Sequence, residues 1–346
     1  MWIEKESMKR TAFFAFVMDA QHASIFGHTP NLSISDMHIP LPSTDALWRS
    51  PNPSAWARER ARTEPSPPFL SALRALLARQ PTPASFSPFA RFVLLHGLYS
   101  IAKHMQDRDL TASHVGGGKL APEQGQGSIS PSGDEWKENI DRAVETWSLS
   151  LLTQQPALCL EAGRPLQRLA HVTIYINIID FHIFAGAPSL SGVTVTEKEC
   201  ARAEKRIKAW TERPSAKRSL SHCLLLIQEI MFTRRKYRAT EDNIALRPWC
   251  LYQTTLVLWA YGMITEGRSA EPQLGAEEYL VQMLSGLMGG TGRVKGANRT
   301  SGLLSSVRAA LEGCRWELLQ EARTTLEKMI LNSVATLPTP GPMTGE

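Results

Sequence analysis

The chain has 346 residues, 43% of them hydrophobic and 21% charged, a globular balance that excludes a disordered chain. That length allows one large domain or two modest ones. Lys and Arg outnumber Asp and Glu by 38 to 33, a formal charge of +5, too thin a surplus for the electrostatic footprint of a DNA-binding surface.

At the start, Met8-Lys9-Arg10 and the apolar run 11–18 imitate a secretory signal. Glu4 and Glu6 precede that run, however, and Asp19 ends it without a small-residue cleavage site, which argues against secretion. Residues 27–53 contain Pro30, Pro40, Pro42, Pro51 and Pro53 and predict one long, irregular, extended segment, because each proline fixes its own φ and biases its neighbour away from helix. Phe69, Leu70, Leu73, Leu76 and Leu77 then fall on one helical stripe. Ser87-Pro88 reads as an N-cap followed by proline at the first helical position, opening a helix through Phe92, Leu95, Tyr99 and Ala102. The Gly, Ser, Gln and Pro content of 115–133 predicts a flexible surface loop.

Further stripes follow at Trp136-Ile140-Ala143-Val144-Trp147-Leu151, Cys200-Ala203-Ile207-Trp210, Leu220-Leu224-Ile227-Met231 and Trp316-Leu319-Leu326-Ile330. Spacings of three and four put each set on one face. Thr196 to Glu199 is a capping box, and Pro214 separates two helices. Val172, Ile174, Ile176 and Ile178 alternate with polar or aromatic neighbours, a local strand signal. A single strand among a dozen helices lacks a ladder partner, so that segment is expected to be a buried helix. Residues 169–187 and 249–264 are the most apolar stretches. The first carries His171, Asn177, Asp180 and His182, and the second falls short of the roughly 20 residues a span needs, so both are expected in the core. Residues 337–346 are expected to be a disordered tail.

Tests for chemistry return no candidate catalytic, cofactor-binding, metal-ligating or DNA-binding residue. Cys159, Cys200, Cys223, Cys250 and Cys314 are dispersed, as expected of reduced thiols rather than a zinc cluster or disulfide framework. Gly116-Gly117-Gly118-Lys119 lacks the Ser or Thr of a phosphate loop, and 290–296 is one residue too long for a dinucleotide fingerprint. The acidic pairs Asp134-Glu135 and Glu241-Asp242 lack the further carboxylate that a magnesium-diphosphate site requires. His171 and His182, if on one helix, stand roughly 16 Å apart and cannot share a metal. Two basic clusters remain. Arg202, Lys205, Arg206 and Lys208 line one helix, and Arg234-Arg235-Lys236-Tyr237-Arg238 ends another. The second suits a nuclear import signal or an acidic partner, but cations at a helix C-terminus are favoured by the macrodipole alone, and that reading is preferred.

The most specific segment is the first fifty residues. Lys9-Arg10-Thr11-Ala12-Phe13-Phe14, Val17-Met18-Asp19, Ser24-Ile25-Phe26-Gly27, Pro30-Asn31-Leu32, Asp36, Ile39-Pro40-Leu41-Pro42 and Leu47-Trp48 follow in order. This succession resembles the fungal-specific transcription factor domain, the middle homology region of fungal zinc-finger regulators. Residues 169–187, 246–252 and 258–262 resemble the members that carry C2H2 fingers, and the resemblance runs to about residue 265. It implies an all-α, large irregular multi-helix regulatory domain over 1–336, acting in the nucleus through the transcription machinery or a co-regulator, with no membrane partner. In such a domain Trp48 and Trp56 are expected to pin the extended segment to the helical core. Family members place the zinc finger and further helices before the basic motif, so the chain is expected to be N-terminally shortened. DNA contact and zinc are then expected only in a finger domain absent from this chain, which itself needs no cofactor. An all-helical enzyme with an unrecognised site and a non-functional fragment remain open as alternatives.

Overall fold

The computed structural model describes residues 2–115, 135–152, 154–190, 192–289 and 294–334. Among these the fold is all-α, with fourteen α-helices and one two-residue-per-strand hairpin. The predicted tail, nearly all of the predicted 115–133 loop and most of the glycine-rich 290–296 stretch lie outside the described residues. The chain divides into two compact units, 1–177 and 178–346.

The first unit contains α1 (Trp2–Phe26), α2 (Asp45–Trp48), α3 (Pro53–Arg62), α4 (Phe69–Leu77), α5 (Pro88–Val115), α6 (Glu135–Leu149) and α7 (Leu158–Thr173). α5 runs through its centre, with α1, α4, α6 and α7 packed on it. The cap read from the sequence forms: the Ser87 hydroxyl accepts the N–H of Ala90 at 3.2 Å. Phe13 and Phe16, one turn apart on α1, meet Phe69 edge-on at 5.5 and 5.6 Å, the geometry that aromatic quadrupoles favour. Trp147, fully buried on α6, donates its indole N–H to the carbonyl of Arg91 at 2.7 Å. Gly163 on α7 admits that ring, since a Cβ there would lie 2.8 Å from its edge.

Residues 27–53 do not form one long extended piece. A 3-10 turn at Ile34–Asp36 and the short α2 interrupt it. What is extended is the Ile39–Ser43 stretch, whose Pro40 bridges Pro68 while Leu41 N–H reaches Pro67 O at 2.9 Å and Phe69 N–H reaches Ile39 O at 3.1 Å.

The second unit contains α8 (Ile178–Phe184), the hairpin β1 (Ser189–Leu190) and β2 (Val193–Thr194), α9 (Glu197–Thr211), α10 (Pro214–Met231), α11 (Arg247–Glu266), α12 (Ala276–Met288), α13 (Ser301–Ala310) and α14 (Glu317–Ser333). Every residue of α11 from Pro248 to Gly262 is buried, as a helix surrounded by others requires. The capping box at Thr196 and Glu199 is present in both directions. The alternating segment 172–178 is neither strand nor one helix: Thr173 closes α7, 174–177 turn, and Ile178 opens α8. Local alternation survives there because a turn between two helix ends can bury every second residue without any ladder. Two stripe members also face water, Cys200 on α9 and Trp316 at the start of α14, which is 38% exposed. Among the described residues, no helix is long and apolar enough to cross a membrane.

Candidate functional site

The charged residues of the N-terminal motif form one buried constellation. Glu6, 3% exposed, sits one turn before Lys9 and Arg10 on α1. Its carboxylate accepts Lys9 Nζ at 2.6 Å, Arg10 Nε at 3.1 Å and the backbone N–H of Ser43 at 2.9 Å. Both cations reach onward to the extended stretch, Lys9 Nζ donating to Leu41 O and Arg10 Nη2 to Ser43 O, each at 3.1 Å. The Arg10 guanidinium lies 4.5 Å above the Trp48 ring, a cation–π contact. Burial opposes the charge on Glu6, yet the hydrogen bonds from Lys9 and Ser43 together outweigh it and hold its pKa below the ordinary 4.5. Trp2 lies 5.4 Å from Trp56 and 6.4 Å from Trp48, so those tryptophans do secure the proline region to α1. Asp19 plays the matching part further along. It accepts the Leu32 N–H at 2.8 Å and Asn31 Nδ2 at 3.0 Å, and so fixes the turn after α1.

Two acidic residues do similar work in the second unit. Asp180 takes two hydrogen bonds from Arg206, from Nε at 2.7 Å and Nη2 at 2.6 Å. That fork-to-carboxylate pair is the strong form of an ion pair, and it commits Arg206 of the α9 basic cluster to structure. Asp242, with its side chain 1% exposed, receives Arg247 Nη1 at 2.7 Å, the Tyr237 hydroxyl at 2.7 Å and the Ile244 N–H at 2.9 Å. The carboxylate weighed above for magnesium is therefore occupied by protein donors.

The two histidines weighed above pack within the fold rather than together. His171 and His182 lie on separate helices, α7 and α8. Nδ1 of His171 is 2.6 Å from Asp141 Oδ1, while His182 stacks on Trp249 at 5.7 Å and 11°. His96, 1% exposed on α5, was not singled out by sequence. Its Nδ1 lies 2.8 Å from Phe92 O and its Nε2 2.9 Å from Gln21 Nε2. Burial pushes its pKa down to about 4 against the weaker pull of the Phe92 carbonyl. Because the unfolded chain binds a proton near pH 6.5 and the folded one only near 4, stability falls as pH drops through that window. Wild type is expected to lose on the order of 2–3 kcal/mol more than His96→Gln between pH 6.5 and 4 in urea titrations; equal losses would contradict the burial of a neutral imidazole.

Arg91 is equally buried and has no carboxylate partner among the described residues. It donates to the Ser150 hydroxyl at 2.7 Å and to the carbonyls of Phe86 at 3.3 Å and Pro83 at 2.5 Å, and burial lowers its pKa to about 10. Cys223 and Cys250 are buried, and burial raises both thiols, Cys250 to about 12. Neither can supply a thiolate near neutral pH. Among the described residues, no three His, Cys, Asp or Glu side chains stand together as a metal site.

The basic run differs from its sequence reading. α10 ends at Met231, and 232–238 continue as irregular chain. The run thus begins three residues past the helix, beyond the last turn where the macrodipole acts. Sequence reasoning missed the boundary because Phe232 and Thr233 carry no strong stop signal.

Residues 1–148 match the family model of the fungal specific transcription factor domain. Over that stretch, the chain is similar to this domain. The relatives agree. The chain is 27% identical to zinc finger protein klf1 of Schizosaccharomyces pombe over 95% of its own length and 42% of that protein. It is 25% identical to the nicotinate catabolism cluster-specific transcription factor of Emericella nidulans, over 94% of this chain and 38% of the other. With zinc finger protein zas1 of Schizosaccharomyces pombe it shares 24% identity over 95% of this chain and 37% of that one. The likeness therefore extends past residue 265, where the motifs fade. The chain spans about two fifths of the length of these curated relatives. No solved structure matches it. The matched model is that of a transcription factor domain, and one of the relatives is named as a transcription factor.

Proposed function

We propose that the chain is a regulatory, non-DNA-contacting domain of a fungal transcription factor. It modulates RNA polymerase II transcription in the nucleus through contacts with the transcription machinery or a co-regulator. The observation that carries this reading is the fate of the family motif. Lys9, Arg10 and Asp19, charged residues of α1 within the segment that resembles the family, are each spent on holding α1 to the segments that follow. Cations so engaged are not offered to phosphates, which need exposed basic side chains gathered on one face. The sequence has no C-x₂-C pair, the usual half of a zinc-finger ligand set, so the reading assigns no DNA contact and no zinc to these residues.

Fusing the chain to an unrelated DNA-binding domain tests this. The fusion is expected to change output from a reporter bearing that domain's site, while the purified chain alone gives no sequence-specific shift of duplex DNA. A specific, salt-resistant complex with DNA, or a fusion indistinguishable from the bare DNA-binding domain, would overturn the reading.

A further inference from the structure

Four of the five residues 234–238 are cationic, and Arg234, Arg235, Lys236 and Arg238 are all exposed. Arg238 faces Glu241 at 3.4 Å, whereas Arg234, Arg235 and Lys236 form no ion pair with any described residue. Like charges on adjacent residues repel by roughly half a kcal/mol per pair even in water, and no ion pair with a described residue offsets that repulsion at these three. The segment nonetheless has a local bond at its start and is tied to a buried carboxylate at its end. The Thr233 hydroxyl donates to Arg235 O at 2.8 Å, and Tyr237 is tied to the buried Asp242, which Arg247 also grips. The cations are thus displayed from a fixed, non-helical strip between α10 and the 3-10 turn Ala239–Glu241.

A duplex presents phosphates along many ångströms of backbone, and proteins that bind it spread their cations to match. Here the free positive charge is three residues long, and exposed Glu229 and Glu241 flank it. A short, dense basic strip in irregular backbone fits a receptor that takes a few Lys and Arg side chains into a carboxylate-lined groove. We infer that Arg234, Arg235 and Lys236 are the docking element by which the nuclear import machinery recognises this chain through such an acidic groove. The inference rests on the regulatory reading, which requires the chain inside the nucleus.

The test uses the whole chain fused to a tandem fluorescent protein, large enough to prevent passive entry, in yeast cells. The wild-type fusion is expected to accumulate in the nucleus, and R234A/R235A/K236A to lose that accumulation with an unchanged thermal unfolding midpoint. Appending an unrelated import signal to the triple variant should restore both nuclear location and reporter modulation. That restoration separates the two claims, because a failed regulatory reading would leave the reporter silent in a nucleus-filled cell. Nuclear accumulation of the triple variant overturns the assignment. So does a duplex-DNA complex at physiological salt that the triple substitution abolishes, since the strip would then serve nucleic acid.

Discussion

Replacing Glu6 by Gln is expected to destabilise the 1–177 unit by about 3 kcal/mol at pH 7, the scale of breaking a buried ion pair from one side. Lys9 and Arg10 are each 16% exposed beside Glu6, so the substitution leaves two poorly solvated cations without their counter-charge. It also weakens the acceptor for the Ser43 N–H, loosening the extended stretch at the same moment. The pH dependence follows from the lowered pKa of the native carboxyl. Above 4.5 both folded and unfolded chains carry the charge, and its contribution is complete. As pH falls through 4.5 the unfolded chain takes up a proton first, and the contribution is lost as pH passes the folded value. The gap between wild type and Glu6→Gln in urea denaturation should therefore be widest near neutrality and close in acid. A gap below 1 kcal/mol at pH 7, or one that persists undiminished at pH 3, would show that the constellation is not a buried clamp.

Gly262→Ala reverses the usual sign of its kind. In an ordinary helix interior that change gains about 1 kcal/mol. On α11, however, a Cβ at position 262 would stand 2.2 Å from the carbonyl oxygen of Ala297 and 2.6 Å from its carbon. Those are backbone atoms, so no side-chain rotation relieves the overlap, and the Ala297 carbonyl is further held by the Tyr279 hydroxyl at 3.1 Å. Overpacking of this severity costs about 3 kcal/mol or more net of the propensity gain. Thermal unfolding of the 178–346 unit should shift down accordingly, whereas Ala at exposed Gly289 should be nearly silent. A Gly262→Ala protein as stable as wild type would mean that α11 and the 294–299 segment do not approach so closely.

Local signals are legible in this sequence where a single turn of chain contains all the information. Ser87-Pro88, the Thr196–Glu199 box and Pro214 each start a helix where expected, because the two caps are completed within three residues and proline at the first position fixes its own φ. The apolar stripes likewise identified the buried faces of α4, α6 and α10. What escaped was set by distant partners. Glu6 was noticed only as an acidic residue ahead of an apolar run, and its spacing to Lys9 and Arg10 was visible. Its burial was not, since Ser43 lies 37 residues away. The 172–178 segment looked like a strand because alternation cannot distinguish a ladder from a turn joining two helices. For the basic run the error was one of boundary, and a shift of three residues changed its physical meaning from dipole compensation to exposed, unmatched charge.

The bridge between Pro40 and Pro68 has a bearing on how the protein behaves when crowded. A short extended pair at the surface of a helical unit is a template onto which another chain could add, one backbone hydrogen bond at a time. In Ile39–Ser43 and the stretch facing it, prolines stand at 40, 42, 67 and 68, and none of them has an N–H to donate. Leu41 and Phe69 spend theirs on each other's strand, and Ser43 gives its own to Glu6. The pair is thereby closed to propagation, and the same prolines that shape the turn keep this edge from seeding aggregates.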